Sequence, residues 1–275
     1  MIDKLKQRVK ELLANKTIGV FLGYEKGDNP KIARPALITL PEEVDNLIYD
    51  DSCIVMLSKY LLKPEVKAFG KRGIITSYSN LRAIVGLIQE KQIDRSDVYI
   101  IAVNNGEKML DFYDEVIDAS GVVSPASGVK AHDARPKTHN EQISELLKKS
   151  PAERWAFWQK EFSKCIKCYA CRQICPLCYC TRCIADKNQP QWIPTSPHFA
   201  GNFMWNITRA YHLAGRCVDC GECERACPVG IPLMLLNKMI YNNIKTNFNY
   251  EAGLEPNLLP PLATYQQDDK ENFII

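Results

Sequence analysis

The sequence predicts two domains, an α/β domain built on a mostly parallel sheet and, behind it, a smaller α-rich domain organised by cysteine. Three observations point there. From residues 17 to 103 short apolar runs alternate with helical patterns, the rhythm of helices laid on a parallel sheet. Eleven of the twelve cysteines fall between Cys165 and Cys227, leaving Cys53 alone in the front part. Residues 119–140, ASGVVSPASGVKAHDARPKTHN, are rich in Gly, Ser, Pro and Ala and read as a linker between the two. The expected boundaries are 1–118 for the front domain, 119–140 for the linker, 141–256 for the cysteine domain with a helical insertion, and 257–275 for an extended C-terminal tail.

At 275 residues and 46% hydrophobic the chain is long enough for two modest cores. A formal net charge of only +3 gives no long-range attraction for nucleic acid or an anionic membrane. The sequence has no run of about 18 apolar residues, so no membrane insertion is expected. The first residues, MIDKLKQRVKELLANK, pattern as an amphipathic helix with Leu5, Val9, Leu12 and Leu13 on one side, and the reading is a cytoplasmic protein.

Along the front domain, TIGVFLGY and ALITL read as strands, a helix opens at Pro41-Glu42-Glu43, and another covers IVMLSKYLL with Cys53 beside it as core. GIITSY is a strand, NLRAIVGLIQEKQ a helix capped by Ser79 with Leu81, Ile84, Val85, Leu87 and Ile88 buried, and DVYIIAV the next strand. A strand feeding a helix N-terminus is where such sheets bind phosphate or flavin groups. This connection lacks the glycines that let a ligand approach the backbone, which favours an ordinary capped helix. Then EQISELLKK reads as a helix, and Ser150-Pro151-Ala152-Glu153 supplies a capping box for AERWAFWQKEFSK, which runs directly into the cysteines.

Cys165, Cys168, Cys171 and Cys175-Pro176 spell CxxCxxCxxxCP, and Cys217, Cys220, Cys223 and Cys227-Pro228 repeat it. Three thiolates spaced by two residues wrap one iron-sulfur cubane, and the cysteine before proline ligates the other. The expected sets are crossed: Cys165, Cys168, Cys171 and Cys227 for the first [4Fe-4S] cluster, Cys217, Cys220, Cys223 and Cys175 for the second. This is the pattern of a bacterial-type dicluster ferredoxin domain. Tetrahedral zinc prefers paired ligands from two separated knuckles, so zinc is a poor match at these eight residues. Tight CxxC groupings in a chain of this length also indicate metal ligation in a reducing compartment over disulfides.

Between the runs, Cys178, Cys180 and Cys183 form CxCxxC, a candidate extra site. They could complete a Cys3His zinc site with His198 or His212, hold a further iron centre, replace a cluster ligand, or simply line the cluster pocket as small buried groups. FAGNFMWNITRAYHLAGR reads as an amphipathic helix ending at Gly215. Tyr169, Tyr179, Trp192, Phe199 and Trp205 are expected to shield the clusters. Lys164, Lys167, Arg172 and Arg182 crowd the first run, whereas Asp219, Glu222 and Glu224, with Arg216 and Arg225, mark the second. Positive charge favours the reduced state, so the first-run cluster is expected at the higher potential. The four histidines, His132, His139, His198 and His212, sit in no catalytic motif, and no catalytic residue is assigned.

The stretches CIKCYACRQICPLCYCTRC, WNITRAYHLAGRCVDCGECERACPVGIPL and YEAGLEPNLLPPLATYQQDD resemble a family of cytoplasmic two-cluster ferredoxin-domain proteins of anaerobes. Its members occur beside heterodisulfide-reductase-like flavoproteins, hydrogenases or formate dehydrogenases. The front domain is distantly similar to the beta subunit of deazaflavin-reducing hydrogenases. The resemblance implies an electron-transfer subunit with protein redox partners, and it is strongest over residues 150–265. Where that family shows a Gly-Cys-Asp turn, this chain has Tyr78-Ser79-Asn80-Leu81-Arg82, and the family's further cysteines after the last strand are missing. The front domain therefore reads as a docking domain that has lost its redox centre. Two other classes stay open: a small oxidoreductase keeping a flavin in the front domain, and a structural or maturation protein that merely carries clusters.

Overall fold

The computed structural model describes residues 1–104, 113–118, 123–125 and 138–263. After helix α1 (Ile2–Ala14) come β1 (Val20–Glu25), β2 (Arg34–Ile38), the short helix α2 (Pro64–Lys67), β3 (Arg72–Thr76), α3 (Tyr78–Gln89), β4 (Val98–Asn104), β5 (Glu115–Asp118) and β6 (Val123–Pro125). The six strands form one sheet in the order β2-β1-β3-β4-β5-β6. β1, β3, β4 and β5 pair in parallel, and the edge strands β2 and β6 run antiparallel. The mostly parallel α/β sheet is thus as the sequence predicts. Parallel strands are covered on both faces, which is why Val20, Phe21, Ile74, Ile75, Ile100 and Ile101 are all fully buried. Leu5, Val9, Leu12 and Leu13 form the buried stripe of α1. Arg8 of that helix reaches across to Glu115, with Nε donating to the carboxylate at 2.8 Å.

Several local expectations need correction. The segment opened by Pro41 is a six-residue 3-10 turn, Pro41–Asn46, closed by the Glu43 carboxylate accepting from the backbone N–H groups of Thr39 and Leu40. Around IVMLSKYLL only Ser58–Leu62 is helical, again 3-10, because Lys63 precedes Pro64 and is held extended. Cys53 consequently lies in the preceding turn, half-buried, its sulfur accepting from Asp50 N–H at 3.4 Å. Helix α3 starts two residues earlier than expected, with Ser77 and not Ser79 at the N-cap. Asn80 explains the tight entry: its carboxamide oxygen accepts from Ser58 N at 3.0 Å and its nitrogen lies 3.5 Å from Ile75 O. The segment read as a linker contributes β6 to the sheet, and the next helix begins inside it at Thr138. The rest of that segment, including His132, and residues 264–275 of the tail lie outside the described residues.

Behind the sheet follow α4 (Thr138–Lys148), α5 (Pro151–Ser163), α6 (Ala170–Ile174), α7 (Phe199–His212), α8 (Glu222–Arg225) and α9 (Leu233–Phe248). Helix α5 carries the expected capping box, with Glu153 N–H donating to Ser150 Oγ and the Glu153 carboxylate accepting from Ser150 N. Helix α7 stops at His212, short of Gly215, which takes a φ of +71° in the turn beyond.

The cysteine domain is not hung on a hinge. Leu177, Leu213, Val218, Ile244, Tyr250 and Ala252 belong to the same buried apolar cluster as the sheet. Burying a side chain such as Leu177 fully contributes roughly 1.5–3 kcal/mol. Gly86 lets α3 come this close, since a Cβ there would lie 3.2 Å from Leu177 Cδ1. The C-terminal strap after α9 is tied to α3. Arg82 Nη2 donates to Ala252 O at 2.6 Å, Gln89 Nε2 donates to Glu255 O and Leu258 O at 2.7 and 2.8 Å, and Gly253 needs its φ of +73° because a Cβ would lie 2.2 Å from Arg82 O.

Candidate metal centre

Each cysteine triplet is a loop that bends twice into the left-handed region at corresponding positions. In the first, Lys167 has φ 56° and Tyr169 φ 58°; in the second, Asp219 has φ 60° and Gly221 φ 78°. Non-glycine residues seldom adopt such angles, and they cluster where a site over-determines the backbone. The bends flank the middle cysteine, Cys168 or Cys220, and a short helix then carries the third, Cys171 in α6 and Cys223 in α8. Helices α6 and α8 lie against each other, so the two loops meet face to face.

One cavity is lined by Cys175, Cys217, Cys220 and Cys223 together, with Leu177 and Val218 closing it toward the sheet. This is one complete crossed set: the cysteine before proline in the first run stands among the triplet of the second. Of the other set, Cys171 is buried, and Cys165 and Cys227 are packed beside it around Phe162, Trp205 and Ile231, while Cys168 is exposed. Hydrogen bonds already point at sulfur: Asn237 Nδ2 donates to Cys223 Sγ at 3.3 Å and Ile231 N to Cys227 Sγ at 3.4 Å. Four thiols grouped without disulfides in an apolar wall suit an iron-sulfur cluster, so the residues present fit the group.

Burial sets the acidity of these thiols. It pushes Cys217 up to about 11, Cys223 up to about 12 and Cys220 well above its ordinary value, and it raises Cys171 as well. Cys175 goes the other way, held below its ordinary value, because the neighbouring Cys178 thiol donates a hydrogen bond to it. Thiols held protonated in this way must release protons when they ligate iron, so metal binding here is favoured as pH rises.

The extra thiols Cys178, Cys180 and Cys183 line a separate cavity of about 270 Å³ together with Arg172 and His212. His198 is occupied otherwise, its Nδ1 accepting from Gly201 N–H at 3.4 Å as the cap of α7. Among the described residues no three His, Cys, Asp or Glu side chains are grouped to hold a single metal ion. His139 pairs with Glu224 at 3.2 Å.

The aromatic shield is smaller than expected. Trp205 is 1% exposed and meets Tyr169 edge-on at 4.7 Å, while Tyr179 is tied to Glu90 through its hydroxyl. Trp192 and Phe199 are 51% and 37% exposed. Phe199 opens α7 on the outer surface and packs there on Trp155 and Phe203.

The charge asymmetry also narrows, because ion pairs, two within one helical turn and two between distant residues, neutralise much of it. Lys164 pairs with Glu161, Arg172 with Asp186, Arg225 with Glu222, and buried Asp219 with buried Lys238. Lys167 differs: its ammonium is buried and donates to Pro194 O. Arg209, which the sequence reading did not single out, is buried between the two runs, its Nη2 donating to Cys171 O at 2.9 Å. Only its place on the helix facing the cysteines could have signalled it.

Residues 164–232 match the 4Fe-4S dicluster domain family. The chain is similar to the F420-dependent formate dehydrogenase subunit beta of Methanocaldococcus jannaschii, 37% identical over 113 residues that cover 40% of this chain and 28% of that protein. It is also similar to the F420-dependent formate dehydrogenase 1 subunit beta of Methanococcus maripaludis, 36% identical over 108 residues covering 38% of this chain and 27% of that protein. The chain thus spans less than a third of the length of these relatives. Among the described residues no helix is long and apolar enough to cross a membrane.

Proposed function

We propose, given that residues 164–232 are a 4Fe-4S dicluster domain, that this chain is the subunit of a cytoplasmic redox complex that relays single electrons between partner subunits. Two clusters carry the relay, one on Cys165, Cys168, Cys171 and Cys227, the other on Cys217, Cys220, Cys223 and Cys175. The observation that supports this most is the convergence of Cys175 with the second triplet on one cavity, since a cysteine exchanged between runs is what a dicluster arrangement needs. Bound clusters would supply one-electron storage, and the chain's residues supply position, dielectric and hydrogen bonding. Trp205, Phe162 and Ile231 shield Cys165, Cys171 and Cys227 of one thiol set from water, and Leu177 and Val218 shield the other. Asn237 Nδ2–H and Ile231 N–H donate to thiolate sulfur and so favour added negative charge.

The front domain serves as the docking scaffold. Lys59 supports this by donating to the carbonyls of Arg172 and Cys175 at 2.9 and 3.0 Å, which joins the sheet domain to the first cysteine run. The names of the similar proteins favour a formate dehydrogenase assembly as the partner, ahead of a hydrogenase or a heterodisulfide-reductase-like flavoprotein. Anaerobic titration with dithionite, followed by mixing with a one-electron acceptor, tests the relay. Bleaching in one-electron steps and rapid return of the electrons are expected. Clusters inert to reduction would point to a structural or maturation role, and a flavin absorption band to a small oxidoreductase.

A further inference from the structure

Helix α7 lies in the segment that separates the two cysteine runs, and it delivers Arg209 between them. The side chain is 4% exposed. Its Nη2 is bonded to the carbonyl of Cys171, in the first triplet, while its Nε has no hydrogen-bond partner. The same side chain lines the cavity formed by Cys175, Cys217, Cys220 and Cys223. It is thus placed against both runs, against Cys171 of the first triplet and against Cys175 and Cys223 of the second site. Among the described residues no carboxylate pairs with it. A guanidinium taken out of water without a counter-charge, and with one N–H left unsatisfied, is costly unless an anion is meant to lie there. Neutral thiols are not that anion, whereas a thiolate-bound cluster is.

We propose that Arg209 is the shared counter-cation of the two cluster sites, its free Nε–H reserved for the sulfur of the site built on Cys217, Cys220, Cys223 and Cys175. The inference deepens the proposed function and rests on it. Reduction of either cluster adds one electron, taken from an external reductant, and moves no proton; a fixed positive charge lowers the cost of that added charge. Arginine suits the task because its guanidinium stays protonated throughout. Arg209 therefore raises both potentials, and the second more than the first, since more of that site's thiols surround it. It is a positioning residue for charge, not a ligand.

The test compares the full-length chain with Arg209→Gln and Arg209→Lys. Iron and sulfide are measured on each, and reduction is then followed by electron paramagnetic resonance under controlled potential, with dithionite as reductant. At the potential where the second cluster of the unaltered chain is half reduced, Arg209→Gln is expected to show a reduced-to-oxidised ratio lower by about tenfold, a shift of ~59 mV for a one-electron couple. Arg209→Lys, which keeps the charge but loses Nε–H, is expected between the two. Loaded variants whose potentials match those of the unaltered chain would overturn the proposal, since a merely structural arginine leaves potentials in place once the clusters are in. Should neither variant load iron, the unaltered chain labelled with ¹⁵N-arginine decides. A hyperfine coupling from arginine nitrogen to the reduced cluster supports the assignment, and its absence defeats it. An unaltered chain with no reducible cluster would instead defeat the proposed function itself.

Discussion

At Cys168 the first triplet opens to solvent, whereas the matching cysteine of the second, Cys220, is packed against the core of the sheet domain. The two loops otherwise trace one path, with left-handed residues at Lys167 and Tyr169 in the first and at Asp219 and Gly221 in the second. Their buried charges are opposite at the corresponding position: Lys167 donates to a carbonyl, while Asp219 is neutralised by Lys238. Repetition in sequence therefore sets the local backbone, and what packs outside each loop sets its exposure and charge. One triplet is the more open edge of the cysteine domain, and the other is the joint between that domain and the sheet.

The comparison breaks most visibly under loss of a ligand. Cys168→Ser and Cys220→Ser are each expected to lose roughly half of the iron, one cubane of two. Only Cys220→Ser should also lower the melting temperature of the sheet domain markedly, because its site is walled by Leu177 and Val218 of the shared core. Equal thermal shifts in calorimetry would remove the distinction.

Next in size is the wall itself. Leu177→Ala empties a 3% exposed position against α3 and should cost about 2–5 kcal/mol in urea unfolding. Ile184→Ala, at a residue 62% exposed, serves as the control and should stay within about 0.5 kcal/mol. A loss at Leu177 no larger than at Ile184 would mean that the two domains are not energetically joined there.

The charge contrast is sharpened by a pair of near-isosteric changes. Lys167→Met removes positive charge beside the first site and should lower its potential; Asp219→Asn leaves Lys238 unpaired beside the second and should raise that one. Potentiometry that found both shifts of the same sign would refute the assignment of opposite surroundings. The smallest effect lies upstream: Ser150→Ala removes the cap of α5 and should cost about 1 kcal/mol of stability with both potentials unchanged.

Much of this was legible in the sequence because the signals are local. The alternation of apolar runs gives β1, β3 and β4 with their helices, the stripe of Leu5, Val9, Leu12 and Leu13 gives α1, and Ser150 with Glu153 gives the start of α5. The spacing of the cysteines marks the dicluster segment that the family match covers. What was not legible depends on contacts between distant residues. Cys53 and the segment Ser58–Leu62 look like a helix by composition, but Pro64 and the demands of Asn80 decide otherwise. The short strand β6 carries no apolar pattern of its own and exists through pairing with β5. The exposure of Trp192 and Phe199, the pairing of Asp219 with Lys238, and the place of Arg209 between the runs all depend on how segments distant in the chain meet. Gly221 alone hinted at the left-handed bends, since its counterpart in the first triplet is a tyrosine.

Iron and acid-labile sulfide per chain, measured on protein purified without oxygen and paired with a spectrum of the dithionite-reduced state, test the central claim most directly. The account predicts about eight irons and a spectrum of two magnetically coupled reduced clusters. Zinc in place of iron, or about four irons from a single cubane, would contradict the crossed arrangement and the relay built on it.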